Sequence, residues 1–419
     1  MQSANLITGG FVCHFSHEIC RGGGMVCGII GRRVFLPCRA ALAGVDGGSA
    51  LFVNSYEVNM KRRDLLKKTG TGALALGVAG AAGAARADEG KTFNWKLVMS
   101  WPKKFPGLAT SMEWFAEEVK KATNGRLNIT IYGAGELVPA FEVFNAVSDG
   151  TAEMGHGTPY YWKGKVPEAE LFTSVPFGMT ADECNAWFIH GEGQALLTEL
   201  YKPFGVVPLV GGNTMLQMGG WFNKEIHSVE DLKGLKIRTP GIGGEVYRLA
   251  GATPVSLPGA EIFTSMQSGV LDATDWVGPW NDQAFGLYKA AKYYYNGWQE
   301  PCALMEILIN EKALASLPED IRAIVEGLAM AMNLKCMVDF QKNNAIALKK
   351  MVEDEGVQLR DFPADVVKVF KEKTAEYLKE YAAKSDMAKK ILASYEEFLA
   401  GQMRISANAE TYLAYRREQ

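Results

Sequence analysis

The chain has 419 residues, of which 48% are hydrophobic and 22% are charged, a composition typical of a globular protein and unlike that of a disordered or collagen-like chain. This length is sufficient for two lobes that each bury a core. The net charge of −3 hides an asymmetry, because residues 1–87 carry 10 Lys/Arg and 4 Asp/Glu and leave 34 Lys/Arg and 43 Asp/Glu to the remainder. So acidic a body excludes a nucleic-acid-binding role, which requires clustered Lys and Arg.

Residues 60–87 have the layout of a secretory signal peptide. Basic residues open the segment, a mildly apolar Gly/Ala-rich run follows, and a small-x-small cleavage sequence ends at Ala87. Arg62-Arg63 and the residues after them resemble a twin-arginine signal, which exports folded proteins. We therefore expect cleavage near Ala87 and a periplasmic body. The alternative is an uncleaved membrane anchor, although the run is short and weakly hydrophobic for a transmembrane helix.

Signal peptides begin near a chain start, so we expect Met60 to be the start of translation. Residues 1–59 are then an upstream extension that is not normally translated, and a genuine N-terminal extension is the alternative. Four of the seven cysteines lie in this segment. The other three, Cys184, Cys302 and Cys336, show neither a zinc spacing nor a disulfide framework. At most one bridge could form among them, and we expect all three to be free and mostly buried.

From residue 93 onward, short apolar runs alternate with helical periodicity, which predicts an α/β domain with a largely parallel sheet. The predicted strands are 93–99, 127–132, 235–238 and 272–277, and the predicted helices between them are 111–122, 244–250 and 260–268. Ser316 begins a capping-box sequence that predicts a helix running past residue 345. The tail from about residue 363 is strongly helical. Two α/β units joined by more than one crossover enclose a cleft, where binding sites form.

Enzyme signatures are scarce in the body. There is no Walker A loop, HExxH or GxSxG sequence. The segment 241–244 is rich in Gly between a strand and a helix, but Val246 replaces the third Gly of a dinucleotide loop, so we reject nucleotide binding. His156 and His190 are interpreted as structural residues rather than catalytic ones.

Three segments gather aromatic, amide and charged residues at strand ends, where an α/β sheet exposes ligand-binding groups: residues 211–222, 234–241 and 271–280. In the second, Arg238 has the planar guanidinium that pairs with both oxygens of a carboxylate. Gln217 and Asp275 are hard oxygen donors suited to Na⁺ or Ca²⁺. On pattern alone, a surface Arg238 and a turn-capping Asp275 remain equally compatible with the sequence.

The body resembles the substrate-binding subunit of tripartite ATP-independent periplasmic (TRAP) transporters, and in particular the members that bind 2-oxo acids. The resemblance covers about residues 93–415. Its motifs are AGELVPAFEVFNAVSDGTAEMGH (134–156), GGNTMLQMGGWFNKEI (211–226), GLKIRTPG (234–241), DATDWVGPW (272–280) and YYYNGWQEP (293–301).

The resemblance implies a role for individual residues. Arg238 stands at the position that binds the carboxylate, and Gln217, Asp275 and the main-chain oxygen of Trp276 stand at positions that hold a cation. Glu300 matches an acidic residue of the same pocket. Tyr160 and Tyr161 match an aromatic pair on the other lobe, and Asn213 lies in a matching Gly-Gly-Asn segment. The cation, Na⁺ or Ca²⁺, would bridge the carboxylate and the 2-oxo oxygen to the protein. Asp275 departs from the Glu of the 2-oxo acid binders, which leaves the ion and the substrate open.

The implied function is that of a solute-binding protein without enzymatic activity or organic cofactor. It would capture a pyruvate-like 2-oxo monocarboxylate for a small and a large membrane subunit. The alternatives are a lactate-type 2-hydroxy acid bound with calcium and a secreted enzyme acting on carboxylates. Relatives of this type dimerise by exchanging the C-terminal helix, so a homodimer is compatible with the tail, as is a packed monomeric tail.

The implied fold is a two-lobed α/β periplasmic-binding-protein fold. Hinge strands and a long helix would connect the lobes, and a helical tail would follow. We expect lobe I at 88–215 plus about 304–344, lobe II at 216–303 plus part of 345–375, and the tail at 376–419.

Overall fold

The computed structural model describes residues 6–8, 11–13 and 90–417. Strands β1 (Leu6–Thr8) and β2 (Phe11–Cys13) pair antiparallel. The rest of the expected upstream extension, the expected signal peptide and its cleavage site lie outside the described residues. Within the described part of the chain, no helix combines the length and the apolar character needed to cross a membrane.

The remaining elements belong to residues 90–417. The strands are β3 (Phe93–Met99), β4 (Leu127–Tyr132), β5 (Met154–Gly157), β6 (Val206–Asn213), β7 (Gly220–Phe222), β8 (Lys236–Arg238), β9 (Thr253–Val255), β10 (Ala273–Thr274), β11 (Tyr293–Tyr295), β12 (Leu304–Asn310) and β13 (Gln358–Arg360). The α-helices are α1 (Leu108–Ala122), α2 (Val143–Ser148), α3 (Glu170–Thr173), α4 (Ala181–His190), α5 (Gly193–Tyr201), α6 (Gly241–Leu249), α7 (Gly259–Gln267), α8 (Pro279–Phe285), α9 (Glu311–Ser316), α10 (Glu319–Glu353), α11 (Ala364–Ala382) and α12 (Asp386–Arg417).

These strands form two sheets, with the orders β4-β3-β5-β12-β6 and β13-β11-β7-β10-β8-β9. Strand β3 is parallel to β4 and β5, and β8 is parallel to β9 and β10, as βαβ units require. Strands β7 and β12 are antiparallel to their neighbours. The prediction of a largely parallel sheet is therefore wrong. The chain reaches each of these two strands directly from a strand of the other sheet. No crossover helix of the kind that makes sequential strands parallel precedes them.

We call the five-stranded sheet with α1–α5 lobe I and the six-stranded sheet with α6–α8 lobe II. The chain passes between them through residues 214–219 and 296–303 and along α10. Helix α10 packs against α1 and β6 of lobe I and against α8 of lobe II. Helix α11 packs on α6, and α12 returns to α4 and α5. The predicted two-lobed α/β architecture with a long connecting helix and a helical C-terminal region is confirmed.

Two local predictions are wrong. Ser316 does not cap a helix, because it ends α9 with its hydroxyl donating to a carbonyl of that helix at 2.7 Å, and Pro318 precedes α10 instead. The strand predicted at 272–277 pairs only over β10. Beyond β10 the backbone leaves the sheet, and the Asp275 carbonyl accepts from the Arg238 side chain.

The carboxyl group of Glu306 in β12 is fully buried in lobe I. Its Oε1 accepts from Trp162 Nε1 at 2.5 Å and from the Tyr201 hydroxyl at 3.0 Å, whereas Oε2 has no partner among the described residues. Burial raises the pKa of Glu306 to about 8, although the two donors oppose this shift. The group is therefore largely protonated at neutral pH.

We expect the free energy of unfolding to fall as the pH rises from the ordinary Glu pKa of 4.5 to about 8, since only the folded chain retains the Glu306 proton in this range. The stabilisation from the bound Glu306 proton is fully present below the Glu pKa of the unfolded chain. Above that pH it decreases by about 1.4 kcal/mol per pH unit, and it is lost once the pH passes the Glu306 pKa of the folded chain. Denaturant unfolding at several pH values measures the slope. Glu306→Gln, which keeps the shape but does not titrate, should reduce the slope, whereas other buried carboxyl groups such as Asp282, whose pKa burial raises to about 7, continue to contribute. An unchanged slope would contradict this account.

Candidate functional site

A polar cluster forms where the carboxyl ends of β8 and β10 meet the two crossover segments. Arg238 ends β8 in parallel register with Thr274, so Asp275 follows beside it, and the Asp275 N–H donates to the Arg238 carbonyl at 2.9 Å. On the crossovers, the Gln217 N–H donates to the Glu300 carbonyl at 3.0 Å. The topology thus gathers residues from four separate segments.

Arg238 is fully buried. Its Nη1 donates to Asp275 Oδ1 at 3.0 Å and to the Asp275 carbonyl at 2.9 Å, and Nε donates to the Leu257 carbonyl at 3.1 Å. The guanidinium carbon lies 5.2 Å from the centre of the Trp276 ring. Burial acts to lower the pKa of Arg238, but Tyr161 and Asp275 outweigh it, so the net shift is upward. Nη2 has no acceptor among the described residues and remains available to an anionic ligand.

Two carboxyl groups adjoin this single guanidinium. Asp275 Oδ2 accepts from the Thr239 hydroxyl at 2.8 Å and from Gln299 Nε2 at 3.5 Å, while Glu300 Oε2 has no partner in residues 90–417. Burial raises the pKa of Asp275, and burial together with the Asp275 charge raises the pKa of Glu300 well above its ordinary value. One Arg cannot neutralise two ionised carboxylates, so the cluster favours an additional cation or a proton.

Gln217 adds an unpaired oxygen to this cluster. Its Nε2 donates to Thr214 Oγ1 at 2.9 Å, and its Oε1 has no partner among the described residues. With Asp275 and Glu300 it forms a set of hard oxygen donors, the type that Na⁺ and Ca²⁺ prefer. In the part of the chain that the structure describes, no three His, Cys, Asp or Glu residues are grouped so as to hold a metal. The donors gathered here are two carboxylates and one amide.

Lobe I contributes an aromatic wall. Tyr160 and Tyr161 lie in the turn Pro159–Trp162, with their ring centres 4.9 Å apart, and burial raises the pKa of both. Tyr160 contacts lobe II closely, since a Cβ on Gly241, whose φ is +63°, would lie 2.9 Å from its ring. The cavity beside these rings measures about 20 Å³ and is lined by Trp101, Leu108, Thr158, Tyr160, Tyr161, Thr214, Gln217, Trp276, Val277, Ala303 and Met305.

Three other polar residues predicted from the sequence belong to lobe I. Asn213 ends β6, with Oδ1 accepting from the Met215 N–H at 2.9 Å and Nδ2 unpaired among the described residues. His156 is buried with Nε2 2.8 Å from the Gly211 carbonyl, and burial lowers its pKa to about 4. His190 is exposed at the end of α4. Of these three residues, Asn213 adjoins the cluster, because it directly precedes Thr214, whose hydroxyl accepts from Gln217.

Thr239 and Gln299 are part of the cluster but were not singled out from the sequence. Both contact Asp275. Each directly adjoins a predicted site residue, Thr239 after Arg238 and Gln299 before Glu300. Their position inside the motifs around Arg238 and Glu300 is the sequence feature from which they could have been predicted.

Lys163 links the lobes at a point that no sequence pattern indicated. Its Nζ lies 3.4 Å from Glu170 Oε2 in lobe I and 3.3 Å from Glu245 Oε1 on α6 of lobe II. Glu170 also accepts from the Tyr377 hydroxyl at 2.7 Å. The Lys163 side chain is 38% exposed, so solvent weakens these ion pairs.

We expect Lys163→Met to weaken ligand binding by about twofold, or ~0.5 kcal/mol, because it removes an ion pair between the lobes in this arrangement. Titration calorimetry with the cognate ligand measures the change. Lys165→Met is the matched control, since Lys165 Nζ contacts Asn145 within lobe I at 2.6 Å. Equal losses in both variants would argue against a link between the lobes.

A buried polar site with a small cavity between two α/β lobes is characteristic of the class of two-lobed solute-binding proteins. Residues 97–385 match the DctP family model, described as bacterial extracellular solute-binding protein, family 7. The chain belongs to this family. It has the fold of TRAP periplasmic binding proteins.

The chain is similar to several characterised proteins. The monocarboxylate 2-oxoacid-binding periplasmic protein of Nostoc sp. (strain PCC 7120) is 39% identical, over 77% of this chain and 88% of its own length. A TRAP periplasmic solute binding protein from Pseudoalteromonas atlantica T6c, solved with sodium and pyruvate, is 39% identical, with a TM-score of 0.76 over 78% of this chain and 99% of that chain. A TRAP periplasmic solute binding protein from Colwellia psychrerythraea, solved with calcium and pyruvate, is 39% identical. Its TM-score is 0.76, over 78% of this chain and 100% of that chain.

Proposed function

We propose that this protein captures a 2-oxo monocarboxylate of about the size of pyruvate and delivers it, unchanged, to the small and large membrane subunits of a TRAP transporter. The observation that carries the proposal is a set of unpaired polar atoms in one small buried site: Arg238 Nη2, Gln217 Oε1 and Glu300 Oε2. Leaving buried polar atoms unpaired is costly, so such atoms indicate groups that a ligand satisfies. Similarity to relatives that bind 2-oxo acids and pyruvate supports the same ligand class.

In this proposal, Arg238 neutralises and orients the carboxylate, because its planar guanidinium matches the two carboxylate oxygens. Asn213 offers a further donor from its unpaired amide nitrogen. Tyr160 and Tyr161 exclude water and limit the length of the ligand. Glu300 adds negative charge that a cation must offset.

A Na⁺ or Ca²⁺ ion would be held by Gln217, Asp275 and the main-chain oxygen of Trp276. The Asp275 oxygens already accept from Arg238 and Thr239, but each carboxylate oxygen has a second lone pair. Such an ion supplies positive charge for the oxygen next to the carboxylate. It would favour 2-oxo and 2-hydroxy acids over plain carboxylates.

The test is a thermal unfolding series on protein stripped of carried-over ligand by unfolding and refolding. The panel contains pyruvate, 2-oxobutyrate, 2-oxovalerate, lactate and succinate, each with Na⁺, with Ca²⁺ and with neither. A ligand at 100 times its Kd stabilises the folded state by about 2.7 kcal/mol, which raises the midpoint by several degrees. We expect the largest shift with pyruvate, smaller shifts with longer chains, and none with succinate.

Other outcomes separate the alternatives. A larger shift with lactate that requires calcium would favour the 2-hydroxy acid. Chemical conversion of the ligand, followed by NMR, would favour a secreted enzyme. No shift with any member of the panel would refute the carboxylate site.

We also propose that translation starts at Met60 and that the signal is removed near Ala87 on export to the periplasm. N-terminal sequencing of the exported protein tests both, because a mature chain that retains residues before 60 would contradict them. The lobe bounds expected from the sequence also stay a proposal, supported by the positions of the crossovers at 214–219 and 296–303.

A homodimer through the C-terminal helix is part of the proposal. No residue beyond Leu399 in the described part of α12 is buried, and five large apolar side chains there are exposed: Met403, Ile405, Tyr412, Leu413 and Tyr415. A second copy of the chain would cover them. Sedimentation equilibrium that gives the monomer mass at all concentrations would contradict this.

A further inference from the structure

A side-chain hydrogen bond next to the proposed cation site fixes the peptide bond between Trp276 and Val277. The Val277 N–H donates to Asp282 Oδ1 at 3.2 Å. Because a peptide unit is planar and trans, its N–H and C=O point in opposite directions, so the bond to Asp282 turns the Trp276 carbonyl away from that residue. Trp276 and Val277 line the cavity together with Gln217. Within residues 90–417 the Trp276 carbonyl accepts no hydrogen bond, which leaves its oxygen free for a ligand.

Asp282 is itself held in place from the core of lobe II. The residue belongs to α8 and is only 1% exposed. Its Oδ2 accepts from Trp221 Nε1 at 2.9 Å and from the Tyr294 hydroxyl at 2.7 Å. The rings of these two residues, on β7 and β11, stack with their centres 4.0 Å apart. The two carboxyl oxygens therefore have different tasks, since Oδ2 is anchored in the core and Oδ1 holds a peptide beside the cavity.

The same peptide is tied to the crossover segment that carries Gln217. The Val277 carbonyl accepts from the Met218 N–H at 3.1 Å, and Met218 directly follows Gln217. Val277 is thus held on both sides, by Asp282 through its N–H and by Met218 through its carbonyl. Together these two bonds fix the relative positions of residues 217 and 276, which offer two of the oxygens assigned to the cation.

We propose that Asp282 is a positioning residue for the cation, holding the Trp276–Val277 peptide so that the Trp276 carbonyl oxygen points to the ion. Asp282 would act through this peptide rather than by contacting the ion. The inference rests on the proposed function, because the ion is part of it. Groups that orient the ligands of a metal ion typically contribute about 10- to 100-fold to metal affinity.

Asp282→Asn separates the two tasks of the carboxyl group. An amide has one acceptor oxygen where a carboxylate has two, and Trp221 Nε1 can only donate. The amide oxygen is therefore expected to face the two donors in the core, Trp221 and Tyr294, which leaves the NH₂ group facing the Val277 N–H. We expect this variant to keep the fold but to release the Trp276 carbonyl from its fixed direction.

The test is a calorimetric titration of Ca²⁺ into the full exported chain, stripped of ligand and supplied with a fixed excess of pyruvate. Asp282→Asn should weaken Ca²⁺ binding by at least ~10-fold. Its affinity for pyruvate in the absence of Na⁺ and Ca²⁺ should equal that of the wild type, because Arg238 is unchanged. A general loss of structure would weaken both. Burial raises the pKa of Asp282 to about 7, so titration at pH 8 keeps most of the wild-type carboxyl group ionised.

Tyr294→Phe is the matched control, because it removes one donor from Asp282 Oδ2 and keeps both the ring and the bond to Val277. It should lower the midpoint of thermal unfolding and retain the Ca²⁺ affinity of the wild type. Asp282→Ala, which removes both oxygens and leaves room for water, is the second variant if Asp282→Asn does not fold. It should show the same loss of Ca²⁺ affinity.

The outcomes distinguish this inference from the proposed function. Wild-type Ca²⁺ affinity in folded Asp282→Asn, or an equal loss in Tyr294→Phe, would overturn the role of Asp282 and leave the proposed cation intact. A wild-type protein whose pyruvate binding responds to neither Na⁺ nor Ca²⁺ would refute the cation itself, and the role of Asp282 with it.

Discussion

Replacing Arg238 with alanine should weaken 2-oxo acid binding on the order of 100-fold, which corresponds to ~3 kcal/mol, because a charge-assisted contact is lost from a desolvated site. Arg238 is fully buried, and its Nη2 is free of protein acceptors among the described residues. Within residues 90–417, Arg238 is the one Lys or Arg that forms an ion pair with Asp275, so no neighbouring cation replaces it there. Titration calorimetry measures the loss directly.

The same substitution should destabilise the fold, so binding and stability must be measured separately. Removing one partner of a buried ion pair typically costs about 3–5 kcal/mol, since the other charge is left uncompensated. Here that charge is Asp275, which already has a raised pKa. Arg238→Lys keeps the charge without the planar geometry and should lose an intermediate amount of affinity.

Lys236→Ala is the matched control for Arg238→Ala. Lys236 lies two residues earlier in the same strand, and its side chain is exposed. Its removal should leave ligand affinity unchanged within error. Unchanged affinity in folded Arg238→Ala, or an equal loss in both variants, would refute the role assigned to Arg238.

The features predicted correctly from the sequence depend on residues that are close together in the chain. Strands such as β3 and β4 show local apolar runs, and Arg238 and Asp275 stand in compact motifs beside Gly and Pro. The sequence did not reveal that these two side chains pair, because strand register decides this. Parallel pairing of Arg238 with Thr274 brings them together.

The features that the sequence missed depend on packing between distant segments. Lys163 and Glu245 are separated by 82 positions, and neither stands out from its neighbours. The size of the ligand cavity likewise depends on side chains from both lobes and both crossovers. The predicted helix cap at Ser316 is wrong for a related reason. The local sequence fits a capping box, but the Ser316 hydroxyl donates to a carbonyl of the preceding helix α9 instead.

Removing Na⁺ and Ca²⁺ should reduce affinity for the 2-oxo acid by at least ~10-fold, or about 1.4 kcal/mol. With Asp275 and Glu300 both ionised, the single positive charge of Arg238 leaves the cluster with a net charge of about −1. A bound carboxylate ligand makes this net charge more negative. Two like charges 4 Å apart repel by about 4 kcal/mol at an effective dielectric constant of 20, so this net charge is large enough to matter. Calorimetry in choline buffer with a calcium chelator, followed by restoring each ion, measures the effect.

Glu300→Gln should reduce this dependence on the cation, because it removes one of the two negative charges while keeping an oxygen at the same position. Glu306→Gln is the matched control, since Glu306 is also buried but contacts Trp162 and Tyr201 in the core of lobe I. It should retain the full dependence. Equal wild-type affinity with and without the ions would refute the cation. The raised pKa of Glu300 would then indicate a proton as the group that balances the site.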